Sequence, residues 1–237
     1  MDQQEMKELT GRGAVDALVK SGMKLGLGTG STAIHAVRHV GALLAQGVLR
    51  DIRAVPTSFQ TQLECERLGI PLFSLNSPEI GGALDLTIDG ADEVDPRHYC
   101  VKGGGGALLL EKITAYASAL FAVVADESKL AESLGRSFPV PLEVVPEARI
   151  TAAKAAEALG AEVTLRTAIR KAGPVITEHG NLILDLRFMG PADPVVLETE
   201  LNRIPGVVEN GFFTRFSGER RPVVFIAHAD GSLETRR

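Results

Sequence analysis

The amino-acid sequence predicts an α/β protein: a doubly wound, mostly parallel, Rossmann-like sheet with a smaller α+β domain inserted near the C-terminus. Two patterns predict this fold. In the first half of the chain, short apolar runs alternate with helical patterns, which is typical of βαβ units and a parallel sheet. From the proline-containing segment 138–141 onward, a second set of elements approximates a split βαβ unit, the ferredoxin-like arrangement.

The first part of the chain carries its predicted elements in a regular order. Helices are predicted over residues 4–19, 32–45, 59–68 and 108–119, and Gly69 ends the third of them. Strands are predicted where short apolar runs occur, over residues 23–28, 52–55, 72–75, 84–89, 99–101 and 121–125. This alternation indicates a doubly wound sheet.

The second part predicts a small module followed by a return to the first domain. Helices are expected over residues 151–159 and 194–204, and strands over residues 142–145, 162–166, 175–178 and 182–188. The last two strands form a hairpin that turns at His179-Gly180-Asn181. Segments 207–213 and 223–227 are strand-like and return to the larger sheet. We therefore expect one domain of residues 1–135 and 207–237, and a second of residues 136–206.

The composition narrows the class of protein. The 237 residues carry a formal net charge of −5 and no basic block, which argues against nucleic acid as a partner. The N-terminus is acidic and lacks the apolar region of a signal peptide, and no apolar run approaches the ~20 residues of a membrane span. The sequence predicts a cytoplasmic protein that binds neither nucleic acid nor membrane.

Cysteine and histidine residues suggest no metal site. Cys65 and Cys100 lie far apart in unlike contexts, so neither a disulfide framework nor a cysteine metal site is expected. His35 and His39 share a helical face at i,i+4, but no HExxH motif surrounds them, which favours a surface pair over a zinc site. We expect neither a metal nor another cofactor.

The segment Gly26-Leu27-Gly28-Thr29-Gly30-Ser31-Thr32 is a candidate phosphate loop. It joins a predicted strand end to a helix, where free N–H groups and the helix dipole hold an anion. It is neither a Walker A motif nor a clean GxGxxG, because residue 31 is serine, so nucleotide binding is disfavoured. The alternative is a glycine-rich turn capped by Ser31 or Thr32.

A second group of candidates lies within two dozen residues. Asp89 and Asp92 follow a predicted strand, Lys102 closes the next strand before a run of four glycines, and Glu111 lies in the first turns of the following helix. A carboxylate, an ammonium group and a backbone anion nest suit proton abstraction beside a carbonyl. The alternatives are structural: an Asx turn for the aspartates and a dipole-stabilised helix end for Glu111.

Three further residues have ordinary structural interpretations. Thr57 with Gln60 forms a ready capping box for the predicted helix over residues 59–68. Lys7 and Lys129 are lone lysines, a residue type that is mostly solvated at the surface. The sequence pattern alone assigns none of the three to the site.

The ordered set of motifs GLGTGSTA, VPTSFQT, LTIDGADEVD, KGGGGALLLEK, VADESK and IPGVVENG resembles the ribose-5-phosphate isomerase family of the A type. The resemblance spans nearly the whole chain and fits the change of character at residue 138. It implies interconversion of D-ribose 5-phosphate and D-ribulose 5-phosphate in the non-oxidative pentose phosphate pathway, without a metal. It also implies a homodimer or a homotetramer and a small sugar phosphate as the bound molecule.

The resemblance assigns roles residue by residue. Glu111 is the base that moves a proton between C1 and C2 through an enediol or enediolate. By their chemistry, Lys102 stabilises charge on the substrate oxygen, and Asp89 assists ring opening or proton shuttling. The remaining substrate-binding positions implied by the resemblance are Thr29, Gly30, Ser31, Thr32, Gly90, Ala91, Asp92, Gly103, Gly104, Gly105, Lys129 and Lys7.

The sequence departs from the family pattern at two places, and two rival functions compete with the isomerase. Leu109-Leu110 replaces a polar pair that is common before the base, and segment 213–221 is longer and more charged than usual. A sugar-phosphate sensor module would need an output domain and would not need the set Asp89, Lys102 and Glu111. An amino-sugar phosphate deaminase-isomerase would need a catalytic histidine, and none lies in these motifs.

Overall fold

The computed structural model describes residues 1–190, 193–216 and 221–237. Its helices are α1 Gln3–Leu18, α2 Ala33–Ala45, α3 Phe59–Leu68, α4 Leu108–Ala117, α5 Arg149–Ala158 and α6 Pro194–Asn202. Its strands are β1 Lys24–Leu27, β2 Arg53–Pro56, β3 Leu84–Gly90, β4 Glu93–Val94, β5 Cys100–Val101, β6 Ser118–Asp126, β7 Val140–Val144, β8 Ala161–Leu165, β9 Leu182–Phe188, β10 Val207–Asn210, β11 Phe212–Phe213, β12 Val223–Ala227 and β13 Leu233–Arg236.

The chain divides into two compact units. The first unit contains residues Met1–Ala91, Leu110–Leu130 and Phe216–Arg237, and the second contains Asp92–Leu109 and Ala131–Arg215. This division differs from the expected boundaries because residues 92–109, 131–135 and 207–215 belong to the second unit. Their strands β4, β5, β10 and β11 pair with one another or with β7, and none of them joins the larger sheet.

A six-stranded sheet in the order β13-β12-β6-β3-β1-β2 forms the centre of the first unit. Neighbouring strands are parallel except for β13, which runs antiparallel to β12 at one edge. Strands β6 and β12 are apolar and almost wholly buried, as strands covered on both faces must be. The strand order reverses at β1, between β2 and β3, and such a reversal is where open α/β sheets bind ligands.

The second unit contains a small α+β module and a three-stranded sheet. Strands β7, β8, β9 and β10, with helices α5 and α6, follow the chain order β-α-β-β-α-β and pair as an antiparallel sheet in the order β10-β7-β9-β8. This is the predicted split βαβ arrangement. Strands β11, β5 and β4 form the second sheet of this unit. The predicted fold class, a mostly parallel sheet with a separate small antiparallel domain, is confirmed.

Four predicted strands differ from the structure for identifiable reasons. Residues 72–75 make one bridge, from Leu72 to Ala54, because Pro71 has no N–H and a turn follows at Ser74. Residues 99–101 shorten to β5, which joins the small three-stranded sheet. Residues 175–178 make a single antiparallel bridge, from Ile176 to Leu182, because β8 takes the same edge of β9 from Leu184 onward.

The predicted strand over residues 207–213 is two strands separated by Gly211. A Cβ at Gly211 would lie 2.5 Å from the carbonyl oxygen of Lys102 and 2.5 Å from Pro141 Cδ, so only glycine fits where the chain passes from one sheet to the other. Helix α4 ends two residues earlier than predicted, since β6 begins at Ser118. Residues 217–220 of the charged segment lie outside the described residues. No helix of the described residues is long and apolar enough to cross a membrane.

Candidate active site

The predicted site residues fall in both units. Residues 29–32, Asp89 to Ala91, Glu111, Lys7 and Lys129 belong to the first unit. Asp92 and the segment 102–105 belong to the second.

In the first unit, the carboxylate of Asp89 ties the end of β3 to the loop after β1. Asp89 is fully buried, and its Oδ1 accepts hydrogen bonds from the backbone N–H of Thr29 at 3.0 Å and of Gly90 at 2.8 Å. The N–H of Gly28 donates to the carbonyl of Ile88 at 2.9 Å. Asp89 therefore does more than form a local Asx turn, because it fixes a loop sixty residues earlier in the chain.

Two glycines determine the backbone conformation of this loop. A Cβ at Gly28 would lie 2.1 Å from Oδ1 and 2.6 Å from Cα of Asp89, so the two strand ends approach as closely as they do only with glycine there. Gly30 adopts a φ of +97°, in the region that favours glycine. The residues that follow, Ser31 and Thr32, lead directly into α2.

The alternative interpretation of this loop, in which Ser31 or Thr32 caps the following helix, does not fit the observed side-chain hydrogen bonds. Thr32 occupies the N-cap of α2 but makes no side-chain hydrogen bond to the helix. The hydroxyl of Ser31 accepts a hydrogen bond from Nζ of Lys7 at 3.0 Å. A serine, an ammonium group and the N-terminus of a thirteen-residue helix thus lie together, which is a favourable environment for a phosphate.

A cluster of hydroxyl groups contacts this loop through the side chain of Thr29. The Oγ1 of Thr29 lies 2.7 Å from Oγ1 of Thr57, 2.7 Å from Oγ of Ser58 and 3.1 Å from Oγ1 of Thr61, which in turn donates to the carbonyl of Gly28 at 2.7 Å. The N-cap of α3 is Ser58, which accepts from the N–H of Thr61 at 3.2 Å. The capping box proposed for Thr57 is therefore wrong, and Thr57 belongs to this cluster instead.

Glu111 lies in the first turn of α4 and is buried, with 5% of its surface exposed. A carboxylate placed only to complement the helix dipole would sit at the surface, where water solvates its charge. Burying a carboxylate instead carries a large desolvation cost. The next residue, Lys112, is also buried, and its Nζ lies 5.9 Å from the centroid of the Tyr116 ring. The burial of Glu111 favours a chemical role over a purely structural one.

Lys129 ends a short 3-10 turn that follows β6. The turn is capped by Asp126, whose Oδ1 accepts from the backbone N–H of Ser128 at 3.0 Å and from the hydroxyl of Ser128. Lys129 is half-buried. The turn fixes the backbone of Lys129 at the carboxyl end of β6, the edge of the sheet where α/β proteins bind ligands.

In the second unit, the glycine run after β5 forms a loop with defined anchors. The N–H of Gly104 donates to Oδ2 of Asp92 at 2.8 Å, and the N–H of Gly106 donates to the carbonyl of Gly103 at 2.9 Å. Gly103 has a φ of +96°, and a Cβ there would lie 2.6 Å from Cβ of Leu108. Asp92 and the glycines are thus brought together as predicted.

Lys102 precedes this loop and is one of the largest buried side chains among the described residues, at 2% exposure. Its backbone N–H donates to the carbonyl of Gly211 at 2.9 Å, and its Nζ lies 5.5 Å from the centroid of the Phe213 ring. A buried ammonium group over an aromatic face is held in place by the ring's negative quadrupole. Lys102 is a fixed charge at the start of the glycine loop.

Two anchors in the second unit had no assigned role in the sequence. Glu93 is buried and accepts from the backbone N–H groups of Gly135 at 2.7 Å, Phe138 at 2.7 Å and Ser137 at 3.1 Å. Burial raises the pKa of Glu93, and the three N–H donors oppose that rise. Arg166 donates to the carbonyls of the glycine loop. Glu93 stands between Asp92 and Val94 with Asp95 next, so the local sequence carries no signal that this carboxylate is buried.

The histidines and cysteines lie elsewhere. His35 is buried, contrary to the predicted surface pair, and its Nε2 lies 3.0 Å from Nε2 of Gln4, while His39 pairs with Asp16 at 2.6 Å. Burial lowers the pKa of His35 and raises the pKa of Cys65 to about 12. Across the described ranges, no group of three or more His, Cys, Asp and Glu side chains could hold a metal ion.

Comparison with known proteins identifies the family. Residues 53–231 match the family ribose 5-phosphate isomerase A (phosphoriboisomerase A). Ribose-5-phosphate isomerase A of Treponema denticola is 53% identical over 241 residues, which cover 99% of both chains.

Solved structures of ribose 5-phosphate isomerases are similar to this chain over its full length. Ribose 5-phosphate isomerase A from Methanocaldococcus jannaschii has a TM-score of 0.90 at 40% identity, covering 100% of both chains. A D-ribose-5-phosphate isomerase in complex with phospho-erythronic acid has a TM-score of 0.93 at 38% identity, again covering 100% of both chains. This chain belongs to the ribose 5-phosphate isomerase A family.

Proposed function

We propose that this chain interconverts D-ribose 5-phosphate and D-ribulose 5-phosphate. The observation that carries the proposal is the 53% identity to a ribose-5-phosphate isomerase A along 99% of both chains. A relative that matches the whole chain was solved with phospho-erythronic acid, a phosphorylated sugar acid, which supports a sugar phosphate as the ligand class. The pathway assigned by the resemblance, the non-oxidative pentose phosphate pathway, follows from this reaction.

Glu111 is the proposed base. In the direction of ketose formation, its carboxylate removes the proton from C2 of the open-chain aldose, and the electrons form the C1–C2 double bond of an enediolate. The same group, now protonated, returns the proton to C1. Burial excludes water from the carboxylate and so keeps the abstracted proton available for the return step.

Lys102 and Asp89 are proposed to manage the charge and protons of the oxygens. As the double bond forms, negative charge develops on the carbonyl oxygen, and a fixed ammonium group such as that of Lys102 stabilises it without having to reorganise. The hydroxyl proton must also move between O2 and O1. Asp89 is assigned this transfer and ring opening, while its Oδ1 remains hydrogen-bonded to two backbone N–H groups.

The phosphate is assigned to the loop at the N-terminus of α2. Gly30, Ser31 and Thr32 offer backbone N–H groups and hydroxyls there, and Lys7 adds a positive charge 3.0 Å from Ser31. The N–H and the hydroxyl of Thr29 are both engaged within the protein, so its proposed part is to shape the loop.

The remaining positions implied by the resemblance complete the proposed substrate site. They are Gly90, Ala91, Asp92, Gly103, Gly104, Gly105 and Lys129. We also propose, from the family alone, that the chain forms a homodimer or homotetramer and that it is cytoplasmic. Light scattering of the purified chain measures the oligomeric state.

The test compares wild type with Glu111→Gln in excess chelator. The amide removes the base but keeps the shape, so we expect kcat to fall about 10³-fold while binding of ribose 5-phosphate, measured by calorimetry, persists. Glu66→Gln, an exposed carboxylate on α3, is the matched control and should leave kcat unchanged. Near-normal turnover in Glu111→Gln would show that Glu111 is not the base. Binding without turnover in the wild type would favour the sugar-phosphate sensor.

A further inference from the structure

Arg166, which no motif singled out, contacts the glycine loop directly. It follows β8 and its Nη1 donates to the carbonyl oxygen of Gly103 at 3.1 Å and of Gly104 at 3.0 Å. These are the carbonyls of two successive peptide groups. One guanidinium nitrogen therefore fixes the direction of both.

Asp185, on the neighbouring strand β9, holds the guanidinium in place. Its Oδ2 accepts from Nε of Arg166 at 2.9 Å, and its Oδ1 accepts from Nη2. Only 15% of the Arg166 side chain and 20% of the Asp185 side chain are exposed. A two-bond pairing of a planar guanidinium with a carboxylate leaves little rotational freedom, so Nη1 is aimed at the loop before any ligand binds.

The loop peptide groups are consequently oriented from both sides. The peptide between Gly103 and Gly104 directs its carbonyl at Arg166 and its N–H at Asp92, 2.8 Å from Oδ2. In the next peptide the carbonyl of Gly104 also points at Arg166. Because N–H and C=O point in opposite directions in a trans peptide, the N–H of Gly105 is directed away from Arg166.

Gly105 faces open space on its side-chain side, since a Cβ there would meet no heavy atom within 4 Å. A run of glycines has the largest conformational entropy of any sequence, so it does not hold one N–H direction without external contacts. The contacts from Arg166 and Asp92 supply that constraint, and they leave room for a ligand beside Gly105.

We propose that Arg166, held by Asp185, is a positioning residue that presents the N–H of Gly105 to an anionic oxygen of the substrate. The proposal rests on the proposed isomerase function. It gives the small α+β module, which supplies both Arg166 and Asp185, a direct part in the reaction. Arg166 itself touches only protein atoms in this role.

The test uses Arg166→Ala with guanidinium rescue. We expect kcat/KM for ribose 5-phosphate to fall about 10²-fold, the scale on which a displaced catalytic group affects rate. Millimolar guanidinium chloride should restore activity by filling the vacated position beside Asp185. Urea unfolding of the same preparations, with and without guanidinium, reports stability separately, because millimolar guanidinium has a negligible denaturing effect.

Matched controls separate the alternatives. Arg187 is exposed on β9, two residues from Asp185 on the same face of the sheet, so Arg187→Ala should keep full activity and show no rescue. Arg166→Lys keeps the charge but not the fork and should recover only part of the loss, and it serves as the test variant if Arg166→Ala does not fold. Full activity of the Arg166 variants, or loss that guanidinium does not restore, would overturn the proposal.

Hydrogen exchange keeps this proposal separable from the proposed function. Backbone amides of residues 103–106 should exchange faster in Arg166→Ala than in Arg187→Ala without any substrate. Unchanged exchange in the loop would overturn the positioning role even if the wild type is an active isomerase. If the wild type lacks isomerase activity but these amides still exchange faster in Arg166→Ala than in Arg187→Ala, only the assigned reaction is refuted.

Discussion

Gly28→Ala tests whether the close approach of β1 and β3 sets the position of Asp89. The added Cβ would lie 2.1 Å from Oδ1, 2.3 Å from Cγ and 2.6 Å from Cα of Asp89. Carbon atoms pack at about 3.5–4.0 Å, so the Cβ and the Asp89 Cα must separate by about 1 Å. Because one of these atoms belongs to the backbone, a side-chain rotation does not relieve the overlap, and the end of β3 has to move.

The expected effect is on both stability and catalysis. Overpacking of this kind costs about 1–3 kcal/mol of unfolding free energy. A displacement of about 1 Å in a catalytic group lowers the rate by about 10²-fold, so kcat/KM for ribose 5-phosphate should fall by about that factor. The assay measures turnover on the folded fraction, determined by urea unfolding of the same preparation.

Gly26→Ala is the matched control on the same strand. Its Cβ would lie 1.9 Å from Oγ1 and 2.9 Å from Cβ of Thr87, an overlap of similar severity that does not involve Asp89. Both variants should lose stability, but only Gly28→Ala should lose kcat/KM. An equal loss of kcat/KM in the two variants, or full activity of Gly28→Ala, would refute the reasoning.

Two further predictions concern the phosphate loop and a surface ion pair. Ser31→Ala removes the acceptor of the Lys7 hydrogen bond, so KM should rise about tenfold with kcat nearly unchanged, and a fall in kcat alone would contradict phosphate binding. Hydrogen bonds from Arg67 and Arg38 lower the pKa of Glu64 from 4.5 to about 2. A lowered carboxylate pKa stabilises the fold above pH 4.5 and loses that contribution as pH falls toward 2. Since both arginines are more than half exposed, Glu64→Gln should cost about 1 kcal/mol at neutral pH and progressively less near pH 3 in urea titrations. A difference that does not change with pH would contradict the assigned ion pair.

The sequence predicts the larger sheet well because local pattern and burial agree there. The apolar run at the centre of β6 is buried on both faces, and α3 ends where Gly69 adopts a φ of +68°. Predictions failed where pairing partners decided the outcome. Residues 175–178 have a strand-like composition and a turn after them, yet they make one bridge, from Ile176 to Leu182, because β8 occupies the same edge of β9 from Leu184 onward. No local pattern carries that information.

The same limit applies to the site. Glu111, Asp89 and the glycine loop could be proposed as site residues from the sequence because each lies at a strand end or helix start that the pattern itself predicts. Arg166 was missed because its role depends on Asp185 and on a loop sixty residues away. The signal for it was indirect: Asp185 interrupts the apolar strand Leu182–Phe188, and a half-buried carboxylate in such a strand requires a cationic partner.

The acidic motif that begins at Asp89 anchors three loops, and the proposed function assigns two of them to the substrate. Asp89, Asp92 and Glu93 lie within five residues, and each accepts backbone N–H groups from a different loop. Hydrogen bonds from backbone dipoles compensate much of a buried negative charge, and here they also fix the loops that make them. The loop that follows β1 and the loop that follows Lys102 are therefore each anchored by a carboxylate. In this arrangement the acidic residues organise the backbone, and the proposed function assigns to Lys7 and Lys102 the positive charge that an anionic substrate requires.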